Sequence, residues 1–185
     1  MYTPRPSAFE SADTVNRVVA LLVRFPEIHS VRSNPSDSTL TLSFAVRTRL
    51  DRNAARAVGD RVAEHLRAFL DLRGEQSEKI AVTCDRDAAV SFVHLVRDAA
   101  SFTREELELV VALFADAFGD KLVRDGASAM PVDDDPAARD ELVEVALDAL
   151  RDPAQKQRLV GFREESRVLV YFVHTGKRAK ARARS

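Results

Sequence analysis

Two histidines stand at matching places in look-alike segments, Val90-Ser-Phe-Val-His94 and Val170-Tyr-Phe-Val-His174, and a carboxylate, Asp98, follows the first. Two imidazoles and a carboxylate are ligands that zinc or another divalent ion accepts. His94, His174 and Asp98 are therefore the candidate metal set. The spacing lacks HxH or HxxxH character, and His94 shares a strand phase with Val90, Phe92 and Val96. That setting fits a hydrogen-bonded core histidine better than a ligand.

The other reactive groups have plainer readings. Asp133, Asp134 and Asp135 offer hard oxygen ligands, but the glycine and distal glutamate of an EF-hand loop are missing. They read as a solvated loop whose charge favours the following helix N-terminus. Cys84 is the single cysteine, in phase with Ile80 and Val82, and reads as a small core hydrophobe rather than a nucleophile. No Walker loop, GxGxxG, GxSxG or HExxH occurs, and 6 glycines leave little for backbone phosphate cradles. No catalytic residue is nominated and no cofactor is expected.

The chain's end carries Lys177, Arg178, Lys180, Arg182 and Arg184. Such an arm can hold phosphate backbones by counterion release, and these five residues are the nucleic-acid-binding candidates. No aromatic is interleaved among them, so base stacking is not indicated. The net charge of −1 hides a segregation: residues 98–152 sum to −10 and residues 153–185 to +7. Charge laid out in this way favours guided association, within the molecule or with a partner.

The elements that must position these groups follow from periodicity. With 185 residues, 45% hydrophobic and 31% charged, the chain has the composition of a folded globular protein. No run of 18 apolar residues or signal-peptide segment is seen, and one cysteine excludes an intramolecular disulfide framework. The expectation is a cytoplasmic protein with no membrane association.

Val15, Val18, Val19 and Leu22 mark a helix ending near Arg24, before a strand at 28–33. A turn at 34–37 leads to the alternating strand Leu40, Leu42, Phe44, Val46. Asp51 caps a second helix that Gly74 ends, with Val58, Val62, Leu66, Phe69 and Leu70 along its stripe. Strands follow at 80–84 and 89–97, with Asp85-Arg-Asp87 as their turn. Thr103 and Glu106 form a capping box, stapled by Phe102 and Leu107, for a helix closed by Gly119. Residues 120–135 read as the least ordered internal stretch. Pro136 opens a helix with Leu142, Val143, Ala146, Leu147 and Leu150, and a third hairpin spans 159–162 and 168–173 around 164–166.

The returning strands look alike around Phe44, Phe92 and Phe172. The predicted fold is α+β: three helix–hairpin (αββ) units at about 11–48, 51–97 and 136–174, with an inserted helix and acidic loop at about 98–135. They build a six-stranded, mainly antiparallel sheet with helices mostly on one face, in one domain over 1–175, followed by a disordered basic tail at 176–185. The 89–97 strand, apolar on both faces, is expected to be central and covered on both sides, so that Phe92→Ala would cost about 3–5 kcal/mol. A sheet face left bare must be polar or paired with another subunit.

The leading functional expectation is a non-enzymatic intracellular interaction or regulatory module that self-associates, with a homo-oligomer and a protein partner as its company. The alternative is a nucleic-acid- or ribosome-associated protein using the basic tail. The second alternative is a metal-binding protein or enzyme using the His94/His174 region.

Overall fold

The computed structural model describes residues 8–124, 136–152, 154–164 and 167–173. Along them run α1 (Ala8–Arg24), β1 (Ser30–Asn34), β2 (Thr39–Val46), α2 (Arg52–Arg73), β3 (Ile80–Asp87) and β4 (Val90–Asp98). Then come α3 (Arg104–Phe118), a 3₁₀ turn (Gly119–Lys121), α4 (Pro136–Arg151), β5 (Arg158–Glu164) and β6 (Arg167–Val173). The order of helices and strands predicted from periodicity is present, with α3 lying between the second hairpin and α4.

Local signals set the helix ends. The Asp51 carboxylate accepts the Ala54 N–H at 2.7 Å, satisfying a donor that the first turn of α2 cannot. Gly74 closes α2 in the left-handed region at φ 68°, a conformation glycine enters without a Cβ clash. Thr103 caps α3 by accepting the Glu106 N–H at 3.3 Å. The Glu106 carboxylate does not complete the capping box; it is buried and paired with Arg97.

All six strands join one antiparallel sheet in the order β3-β4-β2-β1-β5-β6. The first hairpin sits in the middle, flanked by the second through β2·β4 and by the third through β1·β5. Val31, Leu42, Phe44, Val93, Leu95 and Leu159 point to one face and are buried there. Phe114 of α3 stacks on Phe44 with ring centroids 4.0 Å apart. The helix α1 crosses β5 so closely that a Cβ on Gly161 would lie 2.9 Å from Val18 Cγ1 and 3.0 Å from Leu22 Cδ1. In α2, Gly59 leaves room for Val82 of β3 in the same way, at 3.3 Å from its would-be Cβ.

Two arginines are buried on this covered face. Arg163 donates from Nε to the Ile28 carbonyl at 3.0 Å and from Nη2 to the carbonyls of Leu22 and Phe25. It thereby closes the C-terminal end of α1, where a cation suits the helix dipole. Arg97 donates to both Glu106 oxygens and to Asp98, Ser77 and Ser101, under the Phe102 ring at 5.7 Å.

Several expectations need correction. β4 is interior to the sheet but, among the described residues, covered on one face only: Ser91, Val93, Leu95 and Arg97 are buried, whereas Phe92, His94 and Val96 are half-buried on the other face. Phe44 and Phe172 are in phase with the covered face and Phe92 with the other, so the three aligned phenylalanines do not occupy equivalent faces. The Asp85-Arg-Asp87 turn is strand; the chain reverses at Ala88 and Ala89, with Ala88 at φ 48°. Leu142 is exposed rather than part of the α4 stripe. Residues 121–123 are tied to the end of β2 by a Val46–Leu122 bridge and a Val123 N–H to Ala45 carbonyl bond of 2.8 Å. Residues 125–135, with the aspartate triplet, lie outside the described residues, as does the 165–166 turn.

Candidate functional site

Every helix–sheet contact named above falls on one face, which leaves the other to Ser30 and Arg32 of β1, Ser43 of β2, Phe92 and His94 of β4, and their neighbours on β3, β5 and β6. Registers line these residues up across the sheet. One row runs Thr83, His94, Ser43, Ser30, Phe162, Leu169; the next runs Ala81, Val96, Thr41, Arg32, Val160, Tyr171. An open groove of about 530 Å³ lies over the middle of them.

The groove has a polar floor. Ser43 Oγ and His94 Nδ1 are 2.7 Å apart, and His94 Nε2 is 3.2 Å from Asp85 Oδ2. Because a carboxylate only accepts, Nε2 carries the proton and Nδ1 accepts from the Ser43 hydroxyl. Burial pushes the His94 pKa below the usual histidine value; the Asp85 charge pulls the other way and Arg32 reinforces the depression. His94 is thus a neutral relay between a buried hydroxyl and a carboxylate that is 82% exposed.

The groove has aromatic sides. On one side His29 and Phe92 tilt together with centroids 5.2 Å apart. On the other, the Phe162 and Tyr171 rings meet edge to face at 5.8 Å. Arg32 is exposed beside them and, among the described residues, makes no side-chain hydrogen bond or ion pair. Among the described residues it is the groove's single arginine, and no described lysine lines it.

A hydroxyl, an imidazole and a carboxylate in sequence resemble a nucleophilic triad in connectivity alone. A nucleophile must meet a substrate carbon beside donors for the developing oxyanion. Ser43 is 1% exposed, and its strand pairs with β1 on one side and β4 on the other. The arrangement can orient Asp85 and bind a ligand; it does not present the serine oxygen for attack.

The sequence-derived candidates are dispersed. Asp98 is held by Ser77, Ser101 and Arg97, whose hydrogen bonds and charge outweigh the effect of burial and keep its carboxyl below the ordinary range. It sits four residues along β4 from His94, about 13 Å at strand rise. His174 lies outside the described residues, and β4 and β6 are not neighbours, since β2, β1 and β5 intervene. Among the described residues no three His, Cys, Asp or Glu side chains converge as metal ligands. Cys84 is half-buried, and burial raises its thiol pKa. Lys177, Arg178, Lys180, Arg182 and Arg184 also lie outside the described residues.

Asp85, Ser43 and Arg32 escaped the sequence reading. Asp85 was masked by its turn-like neighbours, although it continues the alternation with Ile80, Val82 and Cys84. No described helix is long and apolar enough to cross a membrane. Comparisons with protein-family models, curated proteins and solved structures return no match for this chain, so the functional reading rests on the geometry.

Proposed function

We propose that the protein is a non-enzymatic interaction module that self-associates through the uncovered face of its sheet. The observation that carries this reading is the one-sided fold itself: a six-stranded sheet with all its described helix contacts on one face. The bare face mixes Phe92, Val96, Val160, Phe162, Leu169 and Tyr171 with its polar centre. Leu169 and Tyr171 are 37% and 47% exposed. Apolar side chains left in reach of solvent on both sides of that centre support an interaction site.

Size points to a second copy. Six strands at about 4.8 Å and seven residues at about 3.3 Å give a face of roughly 650 Å². Two such faces packed together bury roughly 1,300 Å², within the range of a specific dimer. Aligned sheet packing accommodates the twist of both copies.

Light scattering with refractive-index detection suits a chain with no Trp and 2 Tyr. The wild type is expected at twice its 20.5 kDa chain mass. Tyr171→Glu, on the exposed part of the face, is expected to return it to a monomer with an unchanged circular dichroism spectrum. A wild type that remains monomeric at about 100 μM would remove the reading; that concentration lies well above the dissociation constants of specific complexes.

A further inference from the structure

The groove is complete within one copy, so what it binds is a question beyond self-association. Its volume, about 530 Å³, is that of a small-molecule site. Its composition also fits: aromatic and aliphatic walls with a few convergent polar groups. The charges are uneven. Arg32 has no partner among the described residues, whereas Asp85 is engaged by His94 Nε2. An unpaired guanidinium beside apolar walls is a ready partner for a planar anion, which it can hold by two parallel N–H bonds.

We infer that the groove binds a small organic monoanion, its carboxylate at Arg32 and its ring or chain between the Phe162–Tyr171 and His29–Phe92 pairs. Arg32 lies across the ladder from Val160, one row from the Ser30–Phe162 pair. A carboxylate there therefore leaves the rest of the ligand over the aromatic side chains. Asp85 sets the charge limit. Its carboxylate, presented on the same groove, repels a second negative charge and favours a neutral or donor group at that end. The preferred ligand carries one negative charge and an apolar body.

Self-association strengthens the same requirement. A second copy laid on the face would take Arg32 out of water, and an uncompensated guanidinium in an interface is costly. A bound carboxylate supplies the missing charge.

The test is ligand-observed NMR on the full chain at pH 8 with phenylacetate, benzyl alcohol and phenyl phosphate, with light scattering on the same samples. Phenylacetate is expected to bind at least tenfold more tightly than benzyl alcohol or the dianionic phenyl phosphate. Arg32→Gln should lose that advantage. Asp85→Asn should improve phenyl phosphate severalfold, and by a larger factor than it changes phenylacetate. Both altered side chains are exposed, and the spectra of the variants report that the fold is kept. Phenylacetate binding no better than benzyl alcohol, or unchanged in Arg32→Gln, overturns the inference. The scattering mass decides self-association separately, so either idea can fail without the other.

Discussion

The two faces of β4 solve the same problem differently. Each places a polar side chain among apolar neighbours: Arg97 beside Val93 and Leu95, His94 beside Phe92 and Val96. On the covered face Arg97 is 1% exposed, and four oxygen-bearing residues and a ring surround it. On the bare face His94 has two partners and stays neutral, and Arg32 beside it makes no ion pair among the described residues. A charge sealed beneath helices must be satisfied internally, because water cannot reach it. A charge on the open face is satisfied by water, and is therefore free to exchange that water for a ligand. The covered network fixes α3 to the sheet; the open one is available for recognition.

The largest effect that sharpens this contrast is expected at Arg97. Arg97→Ala leaves Glu106 buried without its counter-charge, a loss of about 3–5 kcal/mol in urea denaturation. Burial already pushes the Glu106 carboxyl up against the pull of Arg97, so its ionised form depends on that guanidinium. A loss below about 1 kcal/mol would mean the pair is not sealed, and the comparison would fail.

Next come two truncations three residues apart. Leu95→Ala is expected to cost about 2–4 kcal/mol, the range for a buried leucine. Phe92→Ala should cost only about 1–2 kcal/mol, since part of its ring already faces water. Equal costs would show that the second face is covered after all, as it would be in a tight dimer. Dilution below the association range would separate those cases.

Gly161 probes the covered face through its backbone. A methyl group there would press on Val18 and Leu22 of α1, and overpacking of this kind costs about 1–3 kcal/mol in Gly161→Ala. A neutral result would mean that α1 shifts freely on β5.

The smallest expected effect is the pH dependence from His94. Its folded pKa lies below the ordinary 6.5, so the unfolded chain takes up the proton first as pH falls. The stability that neutral His94 contributes is present above about pH 7 and declines as pH drops through 6.5 and below. His94→Gln removes this component, so the gap between the urea midpoints of wild type and variant should narrow toward acid. A gap that widens would mean that His94 is favoured as the cation, paired with Asp85.

What was legible in the sequence is what short-range chemistry decides. Asp51, Gly74 and Thr103 announce helix ends because caps act within one turn. Alternation placed β2 and most of β4 correctly. The phase of Arg97 with Val93 and Leu95 was also a readable sign of a buried charge. Its partner was less visible, because Glu106 fits a capping box equally well by spacing. Ala88 and Ala89 hid the true turn between β3 and β4, since alanine carries no turn signal, and with it the strand position of Asp85. The sheet order was beyond local patterns, because pairing β1 with β5 depends on how two distant hairpins share the covered face.

That last pairing has a consequence in time. Arg158 donates to Asn34 across 124 residues of sequence, and Arg163 closes the end of α1 from farther along. At synthesis rates of about 5–20 residues per second, β1 waits roughly 6–25 s for the strand that completes it. During that interval the first hairpin leaves the ribosome with one edge unpaired and one helix end uncapped. Such an edge can recruit strands from other chains. The arrival of β5 is therefore the expected commitment point, and contacts this distant should make refolding slow.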